Sequence, residues 1–370
     1  MQKIEYVGNH SSELFEVNEG FMQIAKQLPT EMQKEMLDKV IEDLANSLDS
    51  SMLFSNRLKT VCMSIGSMNQ IVDRGNAYKM VKLAEVLQTH GIEMLGKHVA
   101  DYSNIKAVLI AGPSSSGKTT FSKKLSKGMD KCGIKSQCIS LDDYYVDREL
   151  TPLDDNGEYD FESIYAINID QFKEDLTSLL NGKEVELPRY EFRTGKSVKS
   201  GKRISLCDNT VLIIEGIHGL NPLLTQGMPS ERLFRIYISG LTVAKNDDGT
   251  YYATTDNRLI RRMVRDAQFR NTTASSTLSR WASVRLGEDK WVVPFQQNAD
   301  ANFCTGFQFE LAILKGQALP LLEAVTQDDP YYLEAQRLKR VLNRFHDISA
   351  DMLPVDSLLR EFVGGSAFEY

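Results

Sequence analysis

The sequence predicts an α/β fold, a parallel sheet flanked by helices, and three observations carry that expectation. Residues 105–111 (IKAVLIA) form an apolar, β-rich run, the pattern of a buried strand. The run leads into Gly112-Pro113-Ser114-Ser115-Ser116-Gly117-Lys118-Thr119-Thr120, which satisfies G-x-x-x-x-G-K-[ST] without a mismatch. Phe121, Leu125 and Met129 then recur at helical spacing among lysines and serines.

Strand, glycine-rich loop and helix in that order make a P-loop. Gly112 and Gly117 let the backbone bend so that successive N–H groups face an anion, with a helix N-terminus behind them. Lys118 would reach the β- and γ-phosphates, and the Thr119 hydroxyl would join a Mg²⁺ shell built from hard oxygen ligands. Gly112 through Thr120 are therefore the candidate ATP-binding residues. The bland alternative is a serine-rich helix cap that matches by chance; the flanking strand and helix argue against it.

The chain has 370 residues, long for one domain. We divide it into a helical N-terminal appendage (1–100), a P-loop core (101–325) and a C-terminal helix and tail packing on that core (326–370). Apolar content of 42% and charged content of 25% are those of a globular protein. A net charge of −7 argues against broad contact with a nucleic-acid backbone. The five cysteines (Cys62, Cys132, Cys138, Cys207, Cys304) are scattered, which fits reduced thiols in a cytoplasmic protein. No apolar run approaches the roughly 18 residues that span a bilayer, and the N-terminus lacks a signal-peptide core.

In order along the chain, Thr30 to Gln33 reads as a capping box, and Met36, Val40, Ile41, Leu44 and Leu48 follow at spacings of three and four. A second amphipathic pattern uses Met80, Val81, Ala84 and Leu87, then Leu95 and Val99 beyond a break at Gly91. His90 and His98 on it read as packed or surface histidines. This part packs on the core or on another subunit of a homo-oligomer; the sequence leaves both open.

After the P-loop helix, residues 134–141 read as a second strand running into Asp142-Asp143. Carboxylates at a strand's carboxyl end can hold metal-bound water or accept a hydroxyl proton. A helix opens near Asn168 and ends at Asn181-Gly182. Residues 185–192 make an edge strand or hairpin arm, because Pro188 cannot donate to a central ladder. The basic run 193–203 reads as an exposed hairpin tip. Residues 210–214 (TVLII) form a buried strand ending at Glu215, the place of a second acid near the metal; His218 follows in a turn, and Leu233–Ser239 makes another strand. Arg258, Arg261, Arg262 and Arg265, with Arg270 beyond, crowd one helix face, read here as a lid whose guanidiniums meet a transferring phosphoryl group. Residues 306–314 and 331–345 read as closing helices.

Taken together, GPSSSGKTT, SLDDYYVDR, YDFE, LPRYEF, VLIIEGIHGLNP and TDNRLIRRMVRD resemble the uridine kinase and phosphoribulokinase family of P-loop kinases over residues 105 to 320. A closer likeness, through residues 72–104 and the ending LREFVGGS, is to a bacterial nucleoside-kinase-like branch whose kinase follows a portion related to threonyl-tRNA synthetase. That portion has no recognisable counterpart here. The resemblance implies ATP, Mg²⁺ and a small-molecule acceptor, a nucleoside. It implies Asp142 as general base for the ribose 5′-hydroxyl, Thr119, Glu215 and Asp142 around the metal, Asp160 on the ribose and Tyr190 on the base. Lys118, Arg258 and Arg261 would act on the phosphoryl group, and Arg262 and Arg265 would join the substrate site.

Three departures bear on the acceptor. No histidine follows LPRYEF, where uridine kinases carry one; Gly195 and Lys196 stand there. Glu191 replaces an aspartate, and Ser279-Arg280-Trp281 stands where a base-contacting glutamine is expected. Lys196 and Arg280 would suit an acceptor with its own negative charge. The expected activity is ATP- and Mg²⁺-dependent phosphorylation of a nucleoside 5′-hydroxyl. The alternatives are a sugar phosphate or other small hydroxyl metabolite as acceptor, and a non-catalytic nucleotide sensor.

Overall fold

The computed structural model describes residues 63–154, 157–241, 244–250 and 252–369. The capping box and first apolar stripe (30–48) and Cys62 lie outside them. The elements run β1 (Met63–Ser64), α1 (Ile65–Asp73), α2 (Ala77–Asp101), β2 (Ala107–Ala111), α3 (Lys118–Lys131), β3 (Lys135–Ser140) and α4 (Ile169–Leu180). There follow β4 (Val185–Glu191), β5 (Lys196–Ile204), β6 (Thr210–Glu215), β7 (Leu233–Ser239), β8 (Ala244–Lys245), α5 (Thr254–Arg270) and α6 (Ala274–Trp291). Last come β9 (Ala301–Cys304), α7 (Glu310–Glu323), α8 (Tyr332–Leu342) and α9 (Arg360–Val363).

The predicted α/β class is what forms. Five parallel strands in the order β3-β6-β2-β7-β9 make the central sheet, with helices on both faces. Alternate residues of β2 serve opposite faces, as strand geometry requires. Val108 and Ile110 join the core under α2, α3, α5, α7 and α8. Ala107 and Leu109 join the core shared with α4, the β4–β5 hairpin and Tyr144-Tyr145. Burial on both faces explains why these strands read as continuous apolar runs rather than alternating ones. Each fully buried Leu or Ile contributes about 1.5–3 kcal/mol.

Local signals account for several boundaries. The Asn168 side chain accepts the Gln171 N–H and caps α4. Pro188 sits in an antiparallel hairpin, with a register shift between Glu186 and Pro188 where proline has no N–H to give. The basic run is thus mostly strand β5, and only its first residues form the tip.

Two expectations are corrected, and one strand had not been expected. α2 runs unbroken through Gly91, because packing of Met80, Val81, Ile92, Leu95 and Val99 outweighs glycine's weak helix propensity. Nearby, a Cβ on Gly96 would stand 3.0 Å from the backbone of Gly128 and Met129, so α2 and α3 cross backbone to backbone. The closing helix begins at Glu310 rather than 306, since Gly306 lies against the Leu241 carbonyl and the Phe307 N–H is taken by the Glu310 side chain. β9 is a fifth strand with no expectation behind it; at four residues it is too short to show a period.

No helix among the described residues is long and apolar enough to cross a membrane. Residues 63–101 share one core with the P-loop sheet, and His98 packs its ring on Tyr102 and Phe234 at 4.7 and 5.1 Å.

On α2, Glu85 is buried, accepts the Ser357 hydroxyl and has no partner for its second oxygen. Burial pushes its carboxyl up to about 7. Between the ordinary carboxylate value and 7 the folded chain holds a proton that the unfolded chain has lost, so stability falls as pH rises through that window. Comparing urea unfolding at pH 5 and pH 8, Glu85→Gln should shrink the loss at pH 8 by up to about 3 kcal/mol relative to the unsubstituted protein.

Candidate active site

The P-loop sits at the carboxyl end of β2, the middle strand of the sheet. Gly112 is required by proximity: a Cβ there would stand 2.1 Å from the Ile238 carbonyl oxygen. Gly117 is required by its φ of 84°, and Ser115 also takes a left-handed φ of 58°. The Lys118 Nζ donates to the Gly112 and Pro113 carbonyls at 2.9 and 3.1 Å. Burial pushes this ammonium down from its usual value, against the pull of Glu215 and Asp142.

Strand register brings the acids to the loop. Ile110 of β2 and Ser140 of β3 both pair with Glu215 of β6, so Asp142, two residues past Ser140, comes beside Glu215. Glu215 accepts the hydroxyls of Thr119 (3.3 Å) and Ser140 (3.2 Å). Its carboxyl is pushed up to about 7, chiefly by burial and next by the Asp142 charge. Burial also raises the Asp142 carboxyl, opposed by Lys118, Arg270 and Arg265. Two half-buried carboxylates side by side, beside a threonine hydroxyl, are a donor set that a hard divalent cation fits, and Mg²⁺ would keep several of its own waters there.

One cavity of about 420 Å³ collects these groups. Ser114, Ser115, Gly117, Lys118, Thr119, Asp142 and Glu215 line one side. Tyr145, Phe161, Tyr190 and Phe192 form an aromatic part of the wall, with the Tyr190 ring centroid 5.4 Å from that of Tyr145 and 5.1 Å from that of Phe192. Cations reach in as Arg148, Arg262, Arg265, Arg270 and Arg280, and the remaining acids are Glu162 and Glu361. Asp266 gathers Arg262, Arg265 and Arg270 at 3.4, 2.8 and 3.4 Å.

Arg258 and Arg261 are not where the lid expectation put them. Both are buried and neither lines the cavity. Arg258 makes a bidentate pair with Glu288 at 2.6 and 2.8 Å and donates to the Ser114 carbonyl. Glu288 in turn accepts the Ser114 N–H at 2.8 Å. Arg261 pairs with Glu310 at 2.8 and 2.5 Å and donates to the Ser115 and Thr305 carbonyls. At 100° per residue all four positions fall within about 100° of one face, so their partners separate them: Glu288 and Glu310 take Arg258 and Arg261, while Asp266 holds Arg262 and Arg265. The two buried arginines hold the loop from behind.

Asp160 also falls outside the cavity lining, and its carboxylate accepts the Glu162 N–H. Glu162 faces the cavity instead, packed where Gly287 leaves room (a Cβ there would stand 2.3 Å from it) and pushed up to about 7 by burial. Lys196 pairs with Asp147 (3.1 Å) and Glu149 (2.9 Å) outside the cavity, while Arg148 between them lines it. His218 is buried away from the cavity, and burial pushes it down to about 3. Glu162 was within the motif YDFE, two residues from the acid chosen. Nothing local marked Glu361, which arrives from 241 residues beyond Thr120.

Removing one partner of a buried pair leaves a charge without compensation. Arg258→Ala should therefore lower unfolding free energy by about 3–5 kcal/mol in urea titrations. Arg265→Ala, whose guanidinium shares Asp266 at the cavity wall, should stay within about 1 kcal/mol.

The chain is 28% identical over 205 residues to the uridine kinase of Staphylococcus aureus, which spans 55% of this chain and 89% of that relative. Among solved structures, a possible uridine kinase from Bacillus stearothermophilus aligns with a TM-score of 0.34 at 22% identity, over 40% of this chain and 78% of that one. D-glycerate 3-kinase from Cryptococcus neoformans aligns with a TM-score of 0.30 at 12% identity, over 73% and 87%. Residues 107–228, from β2 through the loop beyond β6, match the model of the Phosphoribulokinase / Uridine kinase family.

Proposed function

We propose that the protein is an ATP- and Mg²⁺-dependent kinase that phosphorylates the 5′-hydroxyl of a nucleoside. One observation supports this above the others: the P-loop, Asp142, Glu215 and a fan of arginines share a single cavity with an aromatic wall. The family match over residues 107–228 and the likeness to a uridine kinase point the same way. We also group the chain with the bacterial branch that carries a threonyl-tRNA synthetase-related portion, on residues 72–104 and LREFVGGS.

In this reading the loop N–H groups and Lys118 take the donor phosphates. Thr119, Glu215 and Asp142 would hold Mg²⁺, which would offset charge on the phosphates. Arg262, Arg265 and Arg270 stabilise the transferring phosphoryl group, in the place first given to Arg258 and Arg261. Asp142 takes the acceptor hydroxyl's proton, and its raised pKa brings it closer to the value a base needs near neutral pH. The acceptor ring lies on Tyr190 and Tyr145, with Glu162 rather than Asp160 on its hydroxyls.

A second reading, an acceptor carrying its own negative charge, is favoured by the guanidiniums of Arg148 and Arg280 on the cavity wall. ADP release from ATP and Mg²⁺ would be followed across nucleosides, ribose 5-phosphate and ribulose 5-phosphate. Turnover with a nucleoside is expected, reduced about 10²–10⁴-fold in Asp142→Asn while nucleotide binding persists. Turnover with sugar phosphates alone would move the assignment to the second reading. ATP binding without turnover on any acceptor would leave a nucleotide sensor.

A further inference from the structure

The P-loop receives a contact from the far end of the chain. α9 is one helical turn, anchored by Leu359 and Phe362, both fully buried. The Arg261 guanidinium lies 5.0 Å from the Phe362 ring centroid, and Gln317 donates to the Val363 carbonyl at 3.0 Å. From this turn the Glu361 side chain reaches α3, where its Oε2 accepts the Thr120 N–H at 3.1 Å and the Thr120 hydroxyl at 2.7 Å.

Thr120 is the third residue of α3, and the first intrahelical bond is donated by Phe121 to Gly117. The Thr120 N–H therefore belongs to the group that a helix N-terminus leaves without an intrahelical acceptor. In a P-loop these N–H groups are the ones that cradle phosphates. Here one of them is held by a carboxylate of the protein itself, and that carboxylate lines the cavity. The Glu361 charge also acts on Lys118 and Glu215. A phosphate arriving at the loop meets a like charge and an amide already in use.

Resting on the nucleotide-binding reading above, we propose that Glu361 is a resident anion on the phosphate-binding N–H of Thr120. A nucleotide binds by taking that N–H from it, so the C-terminal turn sets nucleotide affinity. Three rotatable bonds let the carboxylate swing away while Leu359 and Phe362 keep the turn in place. A purely structural cap would behave in the opposite sense, since removing it would loosen α3 and weaken the site.

The test uses the full chain and Glu361→Gln, which keeps size and removes charge, with ADP and inorganic pyrophosphate as probes in calorimetric titrations. The expected result is a Kd at least tenfold lower for both probes in the variant. Equal or weaker binding by a folded variant overturns the proposal while leaving nucleotide binding by the unsubstituted protein intact. No ADP binding by either protein overturns the proposal together with the nucleotide reading. If the variant does not fold, hydrogen exchange of residues 358–364 in the unsubstituted protein decides: faster exchange with ADP supports displacement, and slower exchange overturns it.

Discussion

Two buried guanidinium–carboxylate pairs hold the site together. Arg258–Glu288 and Arg261–Glu310 are almost fully shielded from water, and each also bonds backbone of the P-loop. Such pairs add little net stability over an apolar packing of equal volume, because desolvation offsets most of the attraction. What they give is position. The loop must keep several N–H groups pointed inward, with Ser115 in a left-handed conformation, and that shape is held by hydrogen bonds from behind it.

One helix therefore serves two roles. α5 uses Arg258 and Arg261 to fix the loop and presents Arg262, Arg265 and Arg270 to the cavity, with Asp266 keeping the latter three together. The hairpin and the segment around Arg148 supply an aromatic surface. The acids arrive between them on strand ends whose register is set by the sheet. Each wall is carried by a different part of the fold, and the sheet aligns them.

Much of this was legible in the sequence. The P-loop, the strand ends at Asp142 and Glu215, the hairpin at Pro188 and the cap at Asn168 follow from local rules of backbone geometry and hydrogen bonding. What was not legible depends on contacts far apart in sequence. A row of arginines spaced by three and four looks alike whether it faces a ligand or a buried carboxylate, and Glu288 and Glu310 gave no sign of which they would meet. That Glu162 rather than Asp160 lines the cavity goes with Gly287 making room, on a helix 125 residues away. β9 needed the neighbouring strand to exist at all.

The two walls differ in how they are fastened. The loop side is joined by ion pairs out of reach of water. The hairpin meets the segment before it through buried packing of Tyr190 on Tyr145 and the Arg148 N–H on the Gly195 carbonyl, and also through Lys196 with Asp147 and Glu149, side chains a third or more exposed. Dissolved salt screens the second kind of bond and scarcely touches the first. Ionic strength therefore acts on the acceptor side only at the Lys196 bridges, while the buried ring packing there and the pairs behind the loop keep their form.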